Sequence, residues 1–198
     1  MPAARPHPLP GLLAWFARER PQVLAHGKRV AALMEMLAEE LGLPPAERER
    51  WRLGGLLHDL GKAWVPRRLL QADRRLSPRE RQCLARHPEA GAALLQRWLA
   101  PELAAPLLPF LLLHHERPDG RGYPFGLKGS GLPLEVALLS VADAYAAMRE
   151  RRPYAAPRSE QAARSELQAG AGEQFHPRAV ALFLRALGPA ASRPSPAP

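Results

Sequence analysis

The chain of 198 residues has one cysteine, Cys83, and so cannot form an internal disulfide. That suits a reducing compartment, and a cytoplasmic location is expected. It has no apolar run approaching the ~20 residues that a membrane-spanning helix needs. The nearest candidate, Pro8–Ala17, is short, broken by prolines and followed at once by Arg18, Glu19 and Arg20. It reads as a structural first helix and not as a signal peptide. No stretch alternates apolar and polar residues with a period of two, so no strand is expected. No internal repeat and no glycine- or serine-rich linker divides the chain, and its length suits one domain. Acidic residues are outnumbered, 19 against 28 lysines and arginines, for a net charge of +9. Aromatics make up only 6% of the chain and do not interleave with the arginines as a single-strand-binding stripe requires. A nucleic-acid polymer is therefore not expected as a partner. The charge goes with an arginine-rich surface or a small phosphate-bearing ligand.

What the chain has in quantity is apolar residues, 46% of the total, set at helix spacing. Val30, Leu33, Met34, Leu37 and Leu41 form one stripe, with Gly42 as its stop. Leu53, Leu56, Leu57 and Leu60 form a second, which Gly61 should end. Ser77-Pro78-Arg79-Glu80 has the form of a capping box with proline at the first helical position. The helix it starts runs towards His87, and Pro88 restarts the chain as the first residue of another, carrying Leu94, Leu95 and Trp98. Leu107–Glu116, Pro133–Met148, Ser159–Ala169 and Pro177–Leu187 complete the helices. Between them, residues 118–132, with Gly120, Gly122, Gly126, Gly129 and Gly131, read as a loop. Residues 188–198, rich in Pro, Ala and Ser, read as a frayed tail. The expectation is an all-α, single-domain protein.

The polar residues fall in unexpected places. His26 lies four residues before Val30 and seven before Leu33, on the buried stripe. Asp143 lies four after Leu139 and seven after Val136, again on an apolar face, where an unpaired carboxylate is costly. His58 and Asp59 interrupt a leucine stripe, and His114 and His115 follow Leu111-Leu112-Leu113. A single histidine so placed is more often a hydrogen-bonded core residue than a ligand, and Asp143 alone could be an ion-pair partner. Five of the seven histidines in one small helical domain are harder to explain that way. Imidazole with carboxylate suits Fe, Mn or Zn, and the lack of cysteine ligands argues against a closed structural zinc site. More than four such ligands suggest two ions sharing a carboxylate, which suits displacement at phosphorus.

These residues also carry a resemblance. His58-Asp59, within Leu57-His58-Asp59-Leu60-Gly61-Lys62, looks like the signature of the HD phosphohydrolases. His114-His115-Glu116-Arg117-Pro118-Asp119-Gly120-Arg121-Gly122-Tyr123-Pro124 resembles the HHExxDGxGYP segment of the HD-GYP family. Arg86-His87-Pro88 with Gly91, Val141-Ala142-Asp143-Ala144, Arg152-Pro153-Tyr154 and Gly172-Glu173-Gln174-Phe175 resemble its further segments in order. The resemblance runs from about His26 to Leu187. It implies an HD-type helical bundle with a glycine-rich GYP loop over residues 22–187, preceded by an N-terminal helical extension, residues 1–21.

The activity it implies is hydrolysis of cyclic di-GMP to pGpG, GMP or both, by a metal-bridging hydroxide. The implied cofactors are two divalent ions, Fe or Mn. Asp59 would bridge them; His26, His58 and Asp143 would complete one ligand set, and His87, His114 and His115 the other. Lys62 would meet a phosphate oxygen as a catalytic and substrate-binding residue. Arg152 would hold a second phosphate, and Asp119, Gly122, Tyr123 and Pro124 would flank the substrate. Gly120 and Gly122 would permit backbone shapes closed to other residues.

The chain departs from the family at several points. Gln22 stands where some members have a glutamate linked to a third metal, so two ions are expected. Ala146, Arg149-Glu150 and Ala155 replace an acidic residue, a Thr-Ser pair and a basic residue. Arg149 or Arg151 would have to supply the phosphate contact that Ala155 cannot make. His176 and His7 are read as structural or surface residues. With no sensory domain recognisable, regulation would come from a separate signalling protein. A non-hydrolysing cyclic-dinucleotide-binding or protein-interaction module, or an HD phosphohydrolase with another nucleotide substrate, stand as alternatives.

Overall fold

The computed structural model describes residues 9–150 and 156–189; His7, Arg151, Arg152, Ala155 and the tail from residue 190 lie outside the described residues. The helices are α1 (Leu9–Glu19), α2 (Pro21–Glu40), α3 (Pro45–Leu57), α4 (Arg67–Leu70), α5 (Pro78–Leu84), α6 (His87–Trp98), α7 (Pro101–Ala104), α8 (Leu108–Leu113), α9 (Leu134–Arg149), α10 (Glu160–Ala169) and α11 (Pro177–Ala186). Short 3₁₀ turns span Leu60–Trp64, Ala105–Leu107 and Gly129–Gly131. Among the described residues β pairing is limited to the isolated bridges Asp119–Lys128 and Ala171–Phe175. The all-α, single-domain expectation holds, and no described helix is long and apolar enough to cross a membrane.

Local sequence explains most boundaries. The capping box at Ser77 forms: Ser77 Oγ accepts from the Glu80 amide at 3.3 Å and the Glu80 carboxylate accepts from the Ser77 amide at 2.9 Å. α2 ends two residues before Gly42, which has φ 66°. The helix expected over Leu107–Glu116 is shorter and stops at Leu113. Pro106 and Pro109 lack amide protons and fit only a first turn, so a 3₁₀ turn comes first and α8 starts at Leu108. The four-residue helices α4 and α7 are too short for any periodicity to register.

Helix α2 runs through the centre, packed on α3 and α9, with α10 and α11 against α9. Its side chains Val30, Met34 and Leu37 are buried with Leu57, Phe110, Leu138, Leu139 and Phe183. From α1, Leu12 and Phe16 are fully buried in the same core. The crossing of α2 and α3 is close because it is built on small residues. A Cβ on Gly27 would lie 2.5 Å from the Leu56 carbonyl oxygen. That approach sets His26 of α2 beside His58, at the end of α3, with ring centroids 5.5 Å apart.

Gly61 does not stop a helix as its sequence context predicts, because α3 has already ended at Leu57. Its place is fixed by a second crossing, where the turn after Asp59 lies directly on the start of α6. A Cβ on Gly61 would overlap the His87 carbonyl and lie 2.5 Å from the Gly91 amide nitrogen. Backbone on both sides cannot yield as a flexible side chain would. Gly61→Ala is expected to destabilise the protein by about 3 kcal/mol in denaturant unfolding. Gly131→Ala, where the new methyl meets nothing within 4 Å, should stay within about 0.5 kcal/mol of the parent.

Candidate metal centre

Asp59 occupies the turn between α3 and the 3₁₀ segment and is only 3% exposed. Around it stand His58, His87 and His114, each at most 2% exposed, and each sits where a helix ends or begins. Three helix ends fix the rings. Carbonyls in the last turn of a helix have no amide partner within it, and here imidazoles supply one. His58 Nδ1 lies 2.8 Å from the Gly55 carbonyl in α3, and His87 Nδ1 lies 2.8 Å from that of Leu84 in α5. His114 Nδ1 lies 3.0 Å from the Leu111 carbonyl and 3.1 Å from that of Phe110, both in α8. A carbonyl can only accept, so each Nδ1 carries a proton. In the neutral ring Nε2 is then a bare lone pair.

Those lone pairs converge on the carboxylate. Asp59 Oδ1 lies 3.3 Å from His87 Nε2 and 3.8 Å from His114 Nε2. Asp59 Oδ2 lies 3.3 Å from His58 Nε2 and 2.5 Å from Lys62 Nζ. The Nε2 atoms of His87 and His114 face each other at 3.2 Å. Asp59 Oδ1 and His58 Nε2 are buried with no hydrogen-bond partner. Acceptors facing acceptors in a dry interior need a cation between them, and buried orphans of this kind are rare otherwise.

Two groups meet at Asp59. Potential ligand atoms of Asp59, His87, His114 and His115 all lie within 4.8 Å of one another, as do those of His26, His58 and Asp59. Asp143 stands at the second group, with Oδ1 2.7 Å from His26 Nε2 and 3.7 Å from His58 Nε2. The structure thus brings all seven residues singled out in the sequence into one region, with Asp59 common to both groups. The donor set, imidazole nitrogens with a shared carboxylate, fits divalent transition-metal ions.

Electrostatics in the metal-free protein follow from the crowding. Burial pushes the Asp59 carboxyl up, but Lys62 and His58 beside it hold it well below the usual range. Burial likewise opposes ionisation of Asp143, and the hydrogen bond to His26 with the nearby His58 ring outweighs it, so its value is also lowered. Burial opposes a charge on His58, yet Asp59 and Asp143 outweigh it and raise the ring to about 10. His115 is lowered to about 4 by burial and by His87, and His114 is lowered by burial and by His115.

The 118–132 loop closes over one side. Tyr123 stacks on His115 with centroids 4.6 Å apart. Asp119 turns inward to its own loop, accepting from Arg117 at 2.6 Å and from the Arg121 amide at 2.9 Å. Gly120 has φ 75°, a backbone shape that favours glycine. Gly122 has no such φ; it is required because a Cβ there would lie 2.5 Å from the Arg117 nitrogen and from Glu116 Cα. Arg152 lies outside the described residues.

Two further side chains, Glu116 and Glu150, hold this region together and carry no periodic signal in the sequence. Glu116 is 2% exposed and accepts from the amides of Phe125, Gly126 and Leu127 at 2.7, 3.2 and 2.9 Å, fastening the loop to the residues beside His115. It sits in a turn, where no periodicity marks a buried face; its only signal was its place directly after the His114-His115 pair. Glu150, which in sequence shows only as a departure from the family pattern, accepts from His26 Nδ1 at 2.6 Å.

The sequence pattern of the HD domain family matches residues 14–179. The chain belongs to the HD domain family. Among HD proteins it is 35% identical over 162 residues to a cyclic di-GMP phosphodiesterase of Thermotoga maritima, covering 81% of this chain and 43% of that protein. It is 34% identical to the 3'3'-cGAMP-specific phosphodiesterase 2 of Vibrio cholerae, covering 81% of this chain and 30% of that protein. The chain therefore spans less than half the length of these curated relatives. Its fold resembles that of an HDG"Y"P protein from Bdellovibrio bacteriovorus, with a TM-score of 0.65 and 25% identity over 84% of this chain and 52% of the other. The GYP-type loop and these similarities place it with the HD-GYP proteins.

The Glu116 geometry has a direct consequence. Glu116→Ala strips three amides of their acceptor, at a cost of about 2–3 kcal/mol. Hydrogen exchange at Phe125, Gly126 and Leu127 is expected to rise by at least about tenfold, while amides within α2 keep their protection.

Proposed function

We propose that this protein is a metal-dependent phosphodiesterase that hydrolyses cyclic di-GMP to pGpG, GMP or both. The observation that carries it is the buried Asp59 carboxylate, ringed by imidazole lone pairs whose tautomers are fixed by helix ends. The names of the relatives and the GYP-type loop support a cyclic dinucleotide as the substrate. Asp59 would join two divalent ions, Fe or Mn, with His26, His58 and Asp143 on one side and His87, His114 and His115 on the other. Such ions lower the pKa of water and polarise a phosphate when bound.

The chain's own residues do the rest. Lys62, now held on Asp59 Oδ2, stands where its ammonium can offset charge growing on a phosphate oxygen. Tyr123 presents an aromatic face against His115, and Gly122 and Pro124 continue that wall. Asp119, tied to Arg117, serves by shaping the loop. Arg152 remains the proposed holder of a second phosphate.

Purified protein loaded with Fe or Mn is expected to convert cyclic di-GMP to pGpG or GMP. A parallel panel with 3'3'-cGAMP and mononucleotide substrates ranks the alternatives. Binding of cyclic di-GMP without product would identify a non-hydrolysing module, and no turnover with either metal would overturn the proposal. Asp59→Ala should lose both ions and at least about a thousandfold in activity, equivalent to several kcal/mol of transition-state stabilisation; full activity in that variant would remove Asp59 from its role.

His58 should make metal binding depend on pH. Its folded value, about 10 in the metal-free protein, means that the ring carries a proton at pH 7 that a metal ion must expel. Metal affinity should therefore rise with pH from about 6 to 9, by up to about tenfold per unit for that proton. Calorimetry in buffers of different ionisation enthalpy should count the released proton.

A further inference from the structure

His26 differs from His58, His87 and His114 in how its far nitrogen is satisfied. Those three use open carbonyls at helix ends. His26 lies inside α2 (Pro21–Glu40), where the neighbouring carbonyls already accept amides four residues on. An imidazole in mid-helix has no free carbonyl to turn to and needs a side-chain acceptor. The structure supplies one from another helix: Glu150, at the C-terminal end of α9 (Leu134–Arg149), places Oε1 2.6 Å from His26 Nδ1. That oxygen is itself fixed by Arg29, one turn along α2 from His26, whose Nε donates to it at 2.8 Å. The opposite ring nitrogen, Nε2, faces Asp143 at 2.7 Å.

We infer that Glu150, anchored by Arg29, is a positioning residue for His26, holding its Nδ1–H so that Nε2 is presented to a divalent ion. The inference rests on the metal centre proposed above. Glu150 is not itself a ligand in this arrangement. It contacts the edge of the ring opposite Nε2, and its Oε1 is already occupied by two donors. Both carboxylates can only accept, so the ring between Glu150 and Asp143 presents a lone pair at Nε2 only while its remaining proton stays on Nδ1. A charged acceptor holds that proton about twice as strongly as a carbonyl does and makes the ring a better donor to metal. Ala146 lies one turn before Glu150 on the same helix and is a buried methyl. It borders, with Arg29, Leu33, Tyr145 and Glu150, a cavity of about 320 Å³. At this corner of the site the carboxylate that reaches His26 is that of Glu150.

The test uses metal binding rather than turnover. Glu150→Ala and Glu150→Gln in the full chain are titrated with Co²⁺, following the d–d absorption, and bound metal is counted after competition with a chelator. Outer partners of ligating histidines are worth about 10–100-fold in metal affinity. Glu150→Ala is expected to weaken one of the two ions by that factor and to leave the other, on the His87 side, unchanged. Glu150→Gln, which can still accept from Nδ1 through its carbonyl oxygen, should lose less than Glu150→Ala. The melting temperature of the metal-free variants distinguishes a merely structural role, which would lower it and weaken both ions together. Unchanged affinity for both ions, or equal loss at both, overturns the inference while leaving the metal centre standing. A parent protein that binds no metal overturns both. Metal binding without hydrolysis of cyclic di-GMP overturns only the proposed substrate.

Discussion

The organisation of this molecule depends on a buried carboxylate, held by Lys62 and faced by imidazoles whose Nδ1 protons are bound to backbone carbonyls. Asp59 is held ionised by Lys62 and His58, while His87 and His114 turn Nε2 towards it because their Nδ1 protons are spent on carbonyls. Those protons go to carbonyls that a helix must leave open at its end. The same hydrogen bonds that terminate α3, α5 and α8 therefore set the tautomers of His58, His87 and His114. Local helix chemistry and site chemistry are one arrangement seen from two sides. It also explains why His58, His87 and His114 stand at helix ends: there a backbone acceptor is free for an imidazole. His26, the exception in mid-helix, takes a carboxylate from the end of α9 in its place.

The fold was largely legible because helix periodicity is strong here. The stripes of α2, α9 and α11 and the capping box of α5 are local signals, and they predicted elements close to those observed. The failures are equally local in origin. Prolines 106 and 109 admit only a first turn, which delayed the start of α8 until Leu108. Gly61 carries the sequence signal of a helix stop, but its role is a backbone crossing that local sequence does not encode. The two four-residue helices carry too few positions to reveal a face.

The candidate site was legible for a different reason. Histidine and aspartate on apolar stripes are costly, so their positions stand out from the hydrophobic pattern by themselves, and the motif spacing ordered them. What remained hidden were residues whose role lies in a tertiary contact. Glu116 is as buried as the histidines, yet it lies in a turn without periodicity. Glu150 stands beside arginines and shows in sequence only as a departure from the family pattern; the meeting of α2 with the end of α9 shows its partner. Asp119 shows the reverse: its carboxylate, prominent in the motif, turns back to Arg117 and Arg121 within its own loop.

The contact at Gly61 bears on how such a protein can change. At Gly61 the turn carrying Asp59 and Lys62 meets the start of α6, and hence His87, backbone against backbone. No side chain intervenes whose size could vary. The distance between the two halves of the proposed ligand set is thus fixed by the thickness of two backbones, while the leucines and phenylalanines of the core can be exchanged and repacked around it. Sequence drift in the hydrophobic interior and constancy of the site's width are compatible, because they are governed by different atoms.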